Sequence, residues 1–133
     1  MQYFVMLVSD QTMPNLTFLT HLLKTNEGLL IFLTTQQMKD IKKVEAIISA
    51  LNYQGEYTEI LLEPENLKEN QSILKENIKD INSTFIVNLT CGNKIMTLSA
   101  YLFFSQISNA SIYYLPINSN TFNLIYPRIP RIF

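Results

Sequence analysis

The sequence predicts a Rossmann-like three-layer α/β fold, with a mainly parallel central sheet between two layers of helices. Three observations predict it. Short apolar runs bounded by polar residues recur along the 133 residues, segments with helical periodicity separate them, and the runs are nearly continuous in apolar character. Strands of that kind need cover on both faces, and helices in right-handed crossovers between consecutive strands supply it.

The elements follow in order. Tyr3-Phe4-Val5-Met6-Leu7-Val8 reads as the first buried strand, and similar runs at 29–33, 57–62, 84–87 and 111–115 give four more. Leu16, Leu19, Leu22 and Leu23 mark a first helix. Met38, Ile41, Val44, Ile48 and Leu51 mark a second, read as continuous, and Leu67, Leu74, Ile78 and Ile81 a third. A fourth, about 93–108, differs because Ile95, Met96, Leu98, Tyr101, Leu102, Phe103, Phe104 and Ile107 cover more than one face. It is either a central helix beneath the loops that follow or a homodimer interface. Residues 116–121 read as a turn, 122–126 as a short segment, and 127–133 as an extended proline-rich tail. One domain over 1–133 is expected, with 118–133 less regular, and there is no internal repeat.

Composition narrows the function. The single cysteine, Cys91, has no partner within the chain, and no zinc-ligand spacing occurs, so a cytoplasmic setting without metal is expected. No basic leader precedes Tyr3. The apolar stretch 95–104 is interrupted by Thr97 and Ser99 and falls short of the roughly 18 residues of a membrane span. A net charge of −1 provides no field for a long nucleic acid, so a nucleotide ligand must be small and locally held.

Lys94 is the only charged side chain between Ile81 and Pro127, and it lies in Asn88-Leu89-Thr90-Cys91-Gly92-Asn93-Lys94, after a strand and before a helix. A helix start carries unpaired N–H groups and a partial positive charge, so a glycine turn with a lysine suits a phosphate. With strand order 3-2-1-4-5, this turn faces the loop Ser9-Asp10-Gln11-Thr12-Met13-Pro14-Asn15 at the carboxyl ends of adjacent strands, where doubly wound sheets bind ligands. Ser9, Gln11, Thr12 and Asn15 offer hydroxyls and amides to ribose and base, while Thr90, Gly92, Asn93 and Lys94 offer phosphate-directed donors. The alternative is local: Ser9, Thr12 and Asn93 cap helices and Lys94 reaches solvent.

Neither a P-loop nor a Gly-x-Gly-x-x-Gly motif is present, which leaves ATPase and dinucleotide chemistry without its usual signature. His21 falls mid-helix, away from the strand ends, and Glu56, Glu59, Glu63, Glu65 and Glu69 read as a solvated face. Cys91 reads as a buried thiol, although a helix start can lower a thiol pKa.

The loop at 9–15 and the segment Asn88-Leu89-Thr90-Cys91-Gly92-Asn93-Lys94-Ile95-Met96 together resemble CARF domains, the CRISPR-associated Rossmann-fold sensors of type III systems. They are most similar to the subgroup in which the sensor is fused to a restriction-endonuclease-like nuclease. Ile112-Tyr113-Tyr114-Leu115-Pro116-Ile117 and Leu124-Ile125-Tyr126-Pro127 resemble that subgroup's later segments. Two departures stand out. Cys91-Gly92 replaces the usual Gly-Gly, and the nuclease domain is absent from the 133 residues.

The resemblance implies a homodimer that binds a cyclic oligoadenylate, the tetra-adenylate above others, across its two-fold axis, with output from a fused or separate effector and no cofactor. It places Ser9, Asp10, Gln11, Thr12, Asn15, Asn88, Thr90, Cys91, Gly92, Asn93 and Lys94 at the ligand. Some relatives are metal-independent ring nucleases. In that alternative Lys94 would stabilise the developing charge and Ser9 or Thr12 would orient the ribose 2′-hydroxyl.

Overall fold

The computed structural model describes residues 1–116 and 118–127. Its elements are β1 (Gln2–Leu7), α1 (Met13–Leu23), β2 (Leu29–Thr34), α2 (Gln36–Asp40), α3 (Lys43–Leu51), β3 (Tyr57–Leu61), α4 (Leu67–Asn77), β4 (Thr84–Asn88), α5 (Lys94–Phe104), β5 (Ala110–Tyr114) and β6 (Asn123–Tyr126). The six-stranded sheet has the order β3-β2-β1-β4-β5-β6. The first five strands are parallel and appear in the expected 3-2-1-4-5 order.

β1 shows why the strands read as unbroken apolar runs. Side chains alternate between faces along a strand, so Val5 and Leu7 enter one core with Leu74, Met96, Ala100 and Phe104 of α4 and α5. Phe4, Met6 and Val8 enter the other with Phe18 and Leu19 of α1, Met38 of α2, and Val44 and Ile47 of α3. A polar side chain on either face of the buried part of β1 would be stranded, and none is present from Phe4 to Val8.

The sequence reading is corrected at four places. The continuous second helix is two, because Lys42 adopts a left-handed backbone (φ 56°) between α2 and α3 and leaves Ile41 exposed. Each short helix then lays its own apolar residues on the sheet, and that packing overrides the local period. The third helix stops at Asn77. Ile78 is already extended, and Ile81, which fitted the helical spacing, is exposed. The fourth helix ends at Phe104. It buries Met96, Ser99, Ala100 and Phe104 on one face, while Leu98 and Leu102 stand 50% and 40% exposed, so the following loops do not cover it. The 122–126 segment contributes a strand, β6, which pairs antiparallel with β5 across a bulge at Ile112/Tyr113. The turn at Ile117 and the tail from Arg128 onward lie outside the described residues.

On β3, the carboxyl of Glu59 has an oxygen that is buried and, among the described residues, without a hydrogen-bond partner. Burial pushes its pKa above the usual carboxylate range, the neighbouring Glu45 adds to that, and Lys39 opposes it. The folded state therefore holds this proton more tightly than the unfolded chain. The resulting stability is fully present below the ordinary glutamate range and is lost as pH rises through the folded pKa. Glu59→Gln is expected to raise the melting temperature at neutral pH, with the difference closing in acid. Parallel melting curves of the two proteins across pH test this.

Candidate functional site

β1 and β4 pair in register, Met6 opposite Asn88, so the chain leaves the sheet at the same height after each strand. A pair of buried amides then joins the two exits. Asn15 donates from Nδ2 to the carbonyl of Leu7 at 2.7 Å, and Asn88 donates from Nδ2 to Oδ1 of Asn15 at 3.1 Å. Both side chains are fully buried. Asn15, expected to line a pocket, and Asn88, expected at the ligand, instead hold the two loops against each other.

The turn after β4 is shaped by local bonds. Asn88 Oδ1 accepts from the backbone N–H of Thr90 at 3.0 Å and from its hydroxyl at 2.5 Å. Gly92 follows at φ +94°, where a Cβ would lie 3.0 Å from Cδ1 and 3.1 Å from Cβ of Leu7. Both the backbone angle and the close approach to β1 require glycine there. Asn93 caps α5, accepting from the N–H of Met96 at 2.8 Å, and donates to the carbonyl of Pro64 at 2.9 Å. The capping alternative therefore holds for Asn93. Cys91 is buried, with its thiol donating to the carbonyl of Gln11 at 3.3 Å. Burial raises its pKa, against a smaller opposing effect of the Ser9 hydroxyl, so it stays a protonated thiol at neutral pH.

The opposing loop is more open. Thr12 occupies the N-cap position of α1 without a side-chain cap bond, and Ser9 Oγ accepts from the N–H of Gln11 at 3.2 Å. Asp10 and Gln11 are exposed. Lys94 is also exposed, at the first position of α5, and makes no hydrogen bond or ion pair among the described residues. Helices α1 and α5, of 11 residues each, begin at this end of the sheet with no acidic residue in their first turns, unlike α3 with Glu45 and α4 with Glu69. The positive ends of these two dipoles are left for something else to neutralise.

Between the loops lies a groove of about 530 Å³, walled by Gln11, Thr12, Met13, Pro14, Thr90, Tyr114, Leu115, Pro116, Asn118 and Ser119. Lys94 and Asn93 are not among its walls; they stand at the start of α5. Two contributions escape the sequence reading. The end of β5 and the β5–β6 loop together supply half of the groove's lining residues, as the placing of β5 beside β4 implies, and Lys43 brings a second cation, with Nζ 3.0 Å from the carbonyl of Asp10. A cavity of similar size, 550 Å³, lies at the opposite end of the sheet beside Tyr3, Gly55 and Lys79, away from these helix starts. His21 borders neither of these two cavities; it is exposed on α1 beside Phe122 and Tyr113. No cluster of three metal-ligand side chains forms among the described residues.

The Card1 CARF domain family matches residues 3–130. The chain belongs to that family. Among solved structures, this CARF domain is similar to Can2 from Sulfobacillus thermosulfidooxidans in complex with cyclic tetra-adenylate, with a TM-score of 0.78 and 25% identity over 94% of this chain and 35% of that one. It is similar in fold to protein VC1899 from Vibrio cholerae, with a TM-score of 0.77 and 22% identity over 98% of this chain and 34% of that one. It shares its fold also with Enterococcus italicus Csm6 bound to cyclic hexa-2′-fluoro-hexa-dAMP, with a TM-score of 0.62 and 14% identity over 89% of this chain and 34% of that one. The chain thus spans about a third of the length of each. No curated protein matches it in sequence. Among the described residues, no helix is long and apolar enough to cross a membrane.

Gly92→Ala is expected to lower the unfolding free energy by roughly 1–3 kcal/mol, the cost of a strained positive φ together with the clash against Leu7. Urea unfolding of the two proteins measures it.

Proposed function

We propose that this chain is a cyclic oligoadenylate sensor domain of type III CRISPR defence, that it binds cyclic tetra-adenylate across the axis of a homodimer in the cytoplasm, and that a fused or separate effector supplies the output. The observation that carries this reading is the convergence of two helix starts without acidic residues, with Lys94 and Gly92, on the groove end of a CARF sheet. Can2, the 25%-identical structure, holds cyclic tetra-adenylate.

The chemistry fits a small ring polyanion. Backbone N–H groups at the starts of α1 and α5 and the ammonium of Lys94 answer phosphates, while Ser9, Asp10, Gln11 and Thr12 present polar groups to adenosine. A single groove of about 530 Å³ is small for a whole four-nucleotide ring, and a two-fold ring is matched by two copies of one half-site. Leu98 and Leu102 lie four residues apart on the exposed face of α5, the helix that begins at Lys94, which supports self-association beside the turn.

Sensing is favoured over ring cleavage by the groove's walls. Among the described residues they include no carboxylate or imidazole that could accept the 2′-hydroxyl proton, and Asp10, the one carboxylate assigned to the ligand, is exposed and stands outside those walls. Labelled cyclic tetra-adenylate incubated with the protein in EDTA is expected to stay intact over many hours; steady conversion to linear product would establish the nuclease instead.

Two binding experiments test the site. Lys94→Ala is expected to weaken binding by roughly ten- to a hundredfold, as loss of a charge-assisted contact to phosphate would, and unchanged affinity in calorimetry would remove Lys94 from the site. Leu98→Glu combined with Leu102→Glu is expected to give a monomer by sedimentation that no longer binds the ring. A monomer that binds as well as wild type would overturn the shared site.

A further inference from the structure

The three loops at the carboxyl end of the sheet are joined by one relay of side chains. From the Leu7 carbonyl it runs through Asn15 to Asn88, from Asn88 Oδ1 to the Thr90 hydroxyl, and from Thr90 Oγ1 to the backbone N–H of Leu115, which donates to it at 2.8 Å. Leu115 opens the β5–β6 loop, the far wall of the groove.

A hydroxyl has one proton to give. The Thr90 proton lies on Asn88 Oδ1, and one lone pair takes the Leu115 N–H, so only acceptor capacity remains. Phosphate oxygens also accept. While the relay is intact, Thr90 therefore has nothing to offer a phosphate, although it stands in the groove wall and its place in the turn suggests phosphate contact.

We propose that Thr90 is a positioning residue whose hydroxyl fixes the height of Leu115, so that the groove's affinity for the ring is set through the β5–β6 wall and not through contact with Thr90. Breaking the tether frees a wall that the ligand must then order at its own expense, which lowers affinity without removing any ligand contact. The proposal rests on the sensor reading for its ligand and on the relay alone for its tether.

The test compares wild type, Thr90→Val and Thr90→Ser by NMR amide exchange at Leu115 and by calorimetric titration with cyclic tetra-adenylate. Valine keeps the shape and removes the hydroxyl; serine keeps the hydroxyl. Thr90→Val is expected to speed Leu115 exchange at least tenfold and to weaken binding about tenfold, as loss of one part-buried hydrogen bond would. Thr90→Ser is expected to stay near wild type in both. In the wild type, saturating ligand is expected to slow Leu115 exchange further, a reading that needs no variant should Thr90→Val fail to fold.

Undiminished protection of Leu115 in Thr90→Val overturns the tether. Faster Leu115 exchange with unchanged affinity overturns the role of the wall, and a serine variant as impaired as valine overturns the role of the hydroxyl. A wild-type protein that binds no ring overturns the sensor reading, and Leu115 exchange in the valine variant still decides the tether by itself.

Discussion

The parallel pairing of β1 with β4, held at its end by the Asn15–Asn88 amide pair, is the constraint on which the rest of the molecule depends. Neighbouring parallel strands end on the same side of a sheet, so the loops after β1 and β4 are forced together, and the helices after them start from adjacent strand ends, one on each face. Two buried amides would cost stability if they were unpaired. Here each satisfies the other or a backbone carbonyl, and the expense becomes a lock on loop position. Gly92 completes the constraint by letting the turn press against Leu7 where any side chain would hold it off.

Polarity is divided in a way that suits an anion. The inner polar groups near the site are spent within the protein, at the buried Asn15 and Asn88 and the half-buried Thr90 hydroxyl, whereas the exposed Gln11 and Lys94 and the half-buried Thr12 have side chains that are largely unspent. A rigid interior therefore presents uncommitted donors at its rim. Binding then needs little reorganisation of the β1 and β4 turns, whose inner polar groups are already paired within the protein.

Much of this is legible in the sequence, for identifiable reasons. The parallel strands are visible because burial on both faces keeps their central positions apolar, most completely in β1 and β2, and the 3-2-1-4-5 order places the two loops together. Lys94 is visible because it is alone in an apolar stretch. β6 is not, because four residues half-buried against a single neighbour carry too little pattern. The break at Lys42 is hidden because Met38, Ile41 and Val44 keep helical spacing across it. Asn15 and Asn88 mislead for a chemical reason, since an amide suits a ligand and a backbone carbonyl equally and only burial separates the two uses. The β5–β6 wall is hidden because its residues, such as Leu115 and Pro116, carry no chemistry of their own and matter only by position.

Whether two half-sites close on one ring is the claim from which the functional account follows, and native mass spectrometry of the wild-type chain with cyclic tetra-adenylate examines it most directly. The account predicts a dimer carrying a single ring, with no singly liganded monomer at any ratio. A monomer that carries a ring of its own, or a dimer that takes up two, would contradict it.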